Sequence, residues 1–275
     1  MEKKITVVIR VYNRIEDLRY NINIIKKFWK KYNYHIICVF NGLSDGYIIN
    51  DEIKFKFDTY VEINENIGHI SGNSQLLSYS LKYIPYDTDY VVILEADTWI
   101  FDDSIIEKYV KILDGSDYVW ASAEWIEKYY TLALDFAIIK YNFLKNNSEI
   151  FNFTKHAESY VANYLINNGY KFIYIKEAMP VHIPSLLRKF YNPTKGRFRV
   201  FPKIKMVTHH VEEIENGMEI KKMYANIISK TNYFDLKFGK FQIFMKKLQL
   251  CIIYFILPIV PKSKWFKKKK MRIIQ

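Results

Sequence analysis

The chain predicts an α/β fold: a mostly parallel central sheet flanked by helices. Three observations carry this. Over residues 5–113, short β-branched runs alternate with stretches of helical periodicity, the pattern of strands joined by crossover helices. Tyr90–Leu94 is an unbroken apolar run of strand length, as in a strand covered on both faces. Asn41-Gly42 and Asp45-Gly46 are turn signals that close the second apolar run.

The elements follow in order. Ile5–Ile9 is a β-branched first strand. Arg14–Lys31 places Ile15, Leu18, Ile22, Ile25 and Trp29 close to helical spacing. Tyr34–Phe40 and Asp58–Ile63 read as strands, Ser71–Tyr83 as a helix and Asp89–Leu94 as the central strand. Asp102-Asp103-Ser104 can cap a helix running to Leu113. The second half is less regular. Tyr118–Ala123 and Tyr170–Ile175 are expected strands, and Ala157–Asn167 and Glu212–Ile228 expected helices. Segment 186–205, with Arg188, Lys189, Lys195, Arg197, Arg199, Lys203 and Lys205 among Pro193, Gly196 and Pro202, reads as a basic, mobile loop. Residues 1–205 are expected to form the main domain and 206–275 a helical, basic extension.

Composition narrows the class. Half the residues are hydrophobic, with 23 Tyr and 19 Phe, which excludes a disordered chain. Cys38 and Cys251 both lie in apolar runs and read as small core residues, not as a disulfide or zinc framework. The opening MEKKITVVIR has too short an apolar run for a signal peptide, and Arg10 interrupts it. A cytoplasmic location follows as the expectation. Of the net charge of +12, residues 261–275 supply seven basic side chains and no acid, so the charge belongs mainly to a tail and argues against a nucleic-acid-binding fold. Leu250–Val260 is too short to span a bilayer. With the lysines and Trp265-Phe266 that follow, it suits an interfacial segment on the anionic, cytoplasmic face of a membrane.

The chemistry begins at Glu95-Ala96-Asp97. Two carboxylates just beyond the carboxyl end of a buried strand stand where open α/β sheets bind ligands. Such acids can hold a divalent cation, and the cation a diphosphate.

Four ordered blocks over roughly residues 4–185 resemble the nucleotide-sugar glycosyltransferases of the GT-A (Rossmann-like) fold, especially inverting family 2. ITVVIRVYNR, 5–14, is similar to the family's opening strand, with Arg10 where proline is usual; Val11, Tyr12, Asn13 and Arg14 are its implied donor-site residues. CVFNGLSDG, 38–46, is similar to the Asp-Asp-Gly-Ser turn, with Asn41 where an aspartate commonly meets the base; an amide can donate to and accept from a pyrimidine edge. NIGHISGNSQLL, 66–77, resembles the glycine loop that opens a helix, implying Gly68 and Asn73, with Gly72 where many relatives have arginine. Glycine lets the backbone approach a ligand, and the helix start favours anions. EAD, 95–97, matches the Asp-x-Asp element. It implies Asp97 as ligand to Mn²⁺ or Mg²⁺ and Glu95 and Ala96 as donor-binding, with Glu95 longer than the family's aspartate.

The resemblance also implies a base. NGYKFIYIKEA, 168–178, is similar to the end of the helix that follows the family's catalytic base, and counting back eleven residues from Gly169 gives Glu158. KEAMPVHIPS, 176–185, resembles an element whose histidine can bind metal, implying His182, with His209 or His210 as the rival. The expected activity is transfer of a sugar, with inversion, from a UDP- or dTDP-sugar to a glycan or polyprenyl-linked acceptor. Two alternatives stand beside it: a degenerate member that binds nucleotide-sugar or glycan without turnover, and a nucleotidyltransferase. The first strand lacks the glycine-rich basic loop the latter needs.

Overall fold

The computed structural model describes residues 3–126, 128–179, 197–256 and 269–274. His182, most of the basic segment 186–205 and residues 257–268 lie outside them. The main sheet is built from β1 (Ile5–Val11), β2 (Tyr34–Phe40), β3 (Thr59–Glu62), β4 (Tyr90–Glu95), β6 (Tyr118–Ser122), β7 (Phe136–Lys140) and β8 (Lys171–Tyr174). Their spatial order is β3-β2-β1-β4-β7-β6-β8. The β3-β2-β1-β4 half is parallel, whereas β7 runs antiparallel to both β4 and β6.

Every residue of β1 is buried because helices cover both faces of the sheet. Val7 and Ile9 face α1 (Ile15–Phe28) through Leu18, Ile22 and Ile25, and α4 (Ser104–Asp114) through Ile106 and Tyr109. On the other face, Val8, Ile37 and Ile93 share a core with Leu76 and Leu77 of α3 (His69–Ser80) and with Val161 and Leu165 of α6 (Ala157–Asn167). Two short helices, α2 (Asp51–Lys54) and α5 (Tyr141–Asn146), sit in the connections.

The sequence reading omits β7 and a second, three-stranded sheet. In that sheet β10 (Met206–Thr208) pairs antiparallel with β5 (Trp99–Ile100) on one side and β9 (Arg199–Phe201) on the other. The loop expected over 186–205 is therefore corrected from residue 199 onward. Val200, Phe201, Ile204 and Met206 are buried, and Lys205 in the left-handed region (φ 48°) closes the hairpin. The helix expected from Glu212 starts only at Gly217 (α7, Gly217–Ser229). A Cβ on Gly217 would stand 2.0 Å from the Val211 carbonyl oxygen, so the tight turn before α7 needs glycine there. Cys251, expected in the core, is exposed on α8 (Lys240–Cys251). Asp103 does not cap its own helix with its side chain. It accepts instead from Lys30 N and Lys31 N, both at 2.7 Å, and from the Tyr34 hydroxyl at 2.9 Å, fixing the α1–β2 connection.

Part of the basic tail lies against the main body. Tyr130 N donates to Lys270 O at 3.1 Å, and Lys270 N to Lys128 O at 3.2 Å. Asn163 Nδ2 of α6 donates to Arg272 O at 2.8 Å, and Lys269 Nζ pairs with the buried carboxylate of Glu124.

Candidate metal centre

Strand β1 lies between β2 and β4, so the order of the strands reverses there, at a switch point of the sheet. A crevice outside the carboxyl ends of such strands is the ligand site of open α/β folds. The Glu95-Ala96-Asp97 turn stands there. Ala96 N donates to Arg10 O at 3.1 Å, and Thr98 N to Glu95 O at 3.0 Å. Asn21 of α1 spans the turn from beneath, its Nδ2 donating to the carbonyls of Glu95 (3.1 Å), Ala96 (3.1 Å) and Thr98 (2.9 Å).

The second sheet brings His209 to the same point. It follows β10 directly and sits in the left-handed region, φ 69°, a conformation costly for a histidine and held by its surroundings. One ligand atom each from Glu95, Asp97 and His209 lies within 4.8 Å of the others. His209 Nδ1 is 3.5 Å from Glu95 Oε2, and Nε2 is 3.5 Å from Asp135 Oδ2. Thr208 Oγ1 donates to Asp135 Oδ2 at 2.8 Å, and the Trp125 ring meets the imidazole edge-on at 4.8 Å.

One buried lysine ties the parts together. Lys221 of α7 has no exposed surface. Its Nζ donates to Asp17 Oδ1 at 2.6 Å, Asp97 O at 2.6 Å and His209 O at 3.2 Å. All three ammonium hydrogens have an acceptor, which is what a buried cation requires. The two backbones that carry Asp97 and His209 are thus joined through a single atom.

The charges are strongly coupled. Burial favours neutral Glu95, but the Arg10 guanidinium and His209 outweigh it and hold the carboxyl well below the usual range. Burial and the charge of Glu95 push Asp97 up to about 6. Burial opposes protonation of His209, yet Glu95 and Asp135 outweigh it and raise its pKa. Asp97 Oδ1 and His209 Nε2 are buried without a hydrogen-bond partner. A carboxylate oxygen and an imidazole nitrogen left unpaired in this way are ligand atoms that suit a divalent cation such as Mn²⁺.

The other expected residues fall at the end of β1 and just after it, just after β2, and at the start of α3. Val11 O accepts from Asn41 N at 3.4 Å. Tyr12 and Asn13 are half-buried; the Tyr12 ring packs edge-on against Tyr47 at 5.3 Å, and the Asp45 carboxylate raises the pKa of its hydroxyl. Arg14 Nη2 donates to Glu212 Oε2 at 2.9 Å. Asn41 is buried, its Nδ2 donating to Gly72 O and Gln75 Oε1, both at 3.1 Å, while its Oδ1 has no hydrogen-bond partner. A Cβ on Gly72 would stand 2.1 Å from Asn66 Oδ1, so a larger residue cannot sit there while Asn66 holds its place. Gly68, at φ 105°, turns the chain into α3, with Asn73 half-buried in the first turns.

Glu158 lies half-buried in the first turn of α6, its backbone carbonyl accepting from Leu132 N at 3.0 Å. Burial, with the charge of Glu95, raises its pKa. His210 is half-buried beside the site; burial and Arg14 lower its pKa.

Five participants have no role in the sequence reading, and four of them carry a signal. Arg10 stands in an apolar strand, and its Nη2 donates to Glu95 Oε1 at 2.6 Å and Leu134 O at 2.5 Å. Asp17 and Asn21 share the inward face of α1, at the i, i+4 spacing that puts two polar residues side by side. Lys221 lies among Ile220, Met223 and Tyr224 on the buried face of α7. Asp135 carries no such signal, because it is a single acid at the start of a strand.

No family model and no curated protein sequence matches the chain. Among solved structures, it is similar to the mannosyltransferase PcManGT from Pyrobaculum calidifontis, a complex with GDP-Man and Mn²⁺, at TM-score 0.50 and 13% identity over 94% of this chain and 72% of that one. It also matches S. aureus TarS, at TM-score 0.45 and 10% identity over 96% and 75% of the two chains. A third match is 4-diphosphocytidyl-2C-methyl-D-erythritol synthase from Anaerococcus prevotii, at TM-score 0.43 and 12% identity over 63% and 86%. The fold is that of a GT-A-like α/β protein.

Proposed function

We propose that the chain is a metal-dependent, inverting glycosyltransferase that moves a sugar from a nucleotide-diphosphate donor to a hydroxyl of a glycan or lipid-linked glycan. The observation that carries this is the Glu95–Asp97–His209 cluster at the switch point of a GT-A-like sheet. The similarity to a mannosyltransferase bound to GDP-Man and Mn²⁺ supports it.

In this reading Asp97 and His209 hold Mn²⁺ or Mg²⁺, with Glu95 steering the imidazole through Nδ1. His182, outside the described residues, is a further candidate ligand. The bound cation supplies Lewis-acid neutralisation of the departing diphosphate. Val11–Arg14, Asn41, Gly68 and Asn73, with Glu95 and Ala96, receive the nucleotide of a UDP- or dTDP-sugar. Glu158 takes the acceptor hydroxyl's proton as that oxygen bonds the anomeric carbon and the carbon–diphosphate bond breaks. Burial of Glu158 raises its basicity toward this role. A lipid-linked acceptor at the cytoplasmic face of a membrane suits the basic C-terminal region.

The test is nucleoside diphosphate release from nucleotide-sugars with and without Mn²⁺. The expected result is metal-dependent release that Asp97→Ala and Glu158→Gln each reduce by about 10² or more. Release undiminished in both variants overturns the mechanism. Release of inorganic diphosphate from a nucleoside triphosphate would mark a nucleotidyltransferase. Metal-dependent donor binding without turnover would mark a binding protein.

A further inference from the structure

Helix α8 and its continuation Ile252–Ile256 bury one face and leave the other bare. Leu250 and Ile253 enter the core beneath β9 and α7, with Ile243 and Tyr254 half-buried against it. The Tyr254 hydroxyl donates to Val200 O. On the opposite side Phe241 is 74% exposed, Phe244 59%, Leu248 43% and Phe255 56%. Met245 and Cys251 are exposed there as well. Positions 241, 244, 248, 251 and 255 advance by three and four residues, so they form one stripe along the helix. Single exposed apolar residues are ordinary, whereas a continuous stripe of phenylalanines marks a surface with a partner.

The surrounding charge selects the partner. Lys240 and Lys247, both exposed and seven residues apart, flank the stripe on one side. From residue 236 to 275 the chain has eleven basic residues and no acidic one. A second copy of the chain would bring the same positive charge to the stripe. An anionic bilayer offers both what the phenylalanines need and what the lysines need. Among the described residues no helix is long and apolar enough to cross a membrane, so the contact is in-plane.

We propose that residues 240–256 form an in-plane anchor on an anionic lipid bilayer. Phe241, Phe244, Leu248 and Phe255 insert among the acyl chains, and Lys240 and Lys247 lie at the phosphates. This places the interfacial element ten residues ahead of the segment the sequence points to. It does not depend on the chemistry at the metal cluster.

The full chain is tested by co-sedimentation with vesicles of phosphatidylcholine, with or without phosphatidylglycerol. The wild type should pellet with the anionic vesicles only, and less at high salt. F241S/F244S/L248S should weaken this at least about tenfold with an unchanged thermal unfolding midpoint, since none of the three is in the core. K240E/K247E should lose the preference for phosphatidylglycerol. Three results overturn the proposal: no binding of the wild type to anionic vesicles, wild-type binding by the triple variant, or a solution dimer that the triple variant dissociates.

Discussion

Arg10 and Glu95 are direct cross-strand neighbours in the β1–β4 register. Both depart from the pattern the sequence resembles, and the structure makes the two departures one change. Proline at position 10 would leave a longer acid unpaired; arginine gives it a buried cation. Arg10→Met should therefore cost about 3 kcal/mol in denaturant unfolding, the low end for breaking a buried pair because Glu95 keeps some exposure. Arg10→Met/Glu95→Gln should recover most of that loss, and additive losses in the cycle would refute the pairing. Asp97→Asn or His209→Gln should abolish the Mn²⁺-induced rise in melting temperature. In the wild type a hundredfold excess over Kd should stabilise by about 2.7 kcal/mol. Single residues were the most legible scale where a charge broke an apolar run, as at Arg10, and the least legible at Asp135, which looks like any strand-end acid.

The elements carry two further expectations. Lys221 holds the β4–β5 turn and the end of β10 in register from α7. Lys221→Met removes all three hydrogen bonds and leaves Asp17 buried without its cation, at a cost of about 3 kcal/mol by chemical denaturation. It should also weaken Mn²⁺ binding, which a purely structural role elsewhere would leave alone. The β9–β10 hairpin is pinned to the turn before α4 by Lys205 Nζ on Asp102 Oδ2 at 2.7 Å. Burial pulls Asp102 toward its neutral form, but hydrogen bonds from Lys205 and Ser104 outweigh it and bring its pKa down to about 2. A depressed acid stabilises the fold above its ordinary value and loses that contribution as pH falls through about 2. Asp102→Asn should thus be less stable than wild type at pH 6 and equal to it near pH 2. With both partners about a third exposed, the difference at pH 6 stays below about 1 kcal/mol. Parallel strands and amphipathic helices were readable because their periods are local. β7, β9 and β10 were not, because their places are set by partners far along the chain: Met206 pairs with Ile100, and Phe136 with Leu94.

At the scale of the molecule, the first half of the chain supplies the carboxylates and the last third supplies what orients them. The blocks that resemble a glycosyltransferase end near residue 185, so the resemblance leaves out His209 and Lys221. Deleting residues 206–275 should remove Mn²⁺ binding even though Asp97 remains, and retained binding in that truncated chain would relocate the site.

The lysine clamp also has a consequence for synthesis. Asp17 and Lys221 stand 204 residues apart in the chain. At 5–20 residues per second, translation takes roughly 10–40 s to cover that interval. Once Glu95 and Asp97 have been made, the chain still lacks His209 and Lys221 for more than a hundred residues. The cluster is therefore completed only late in synthesis, and ribosome-bound chains stalled short of residue 221 are expected to retain no Mn²⁺.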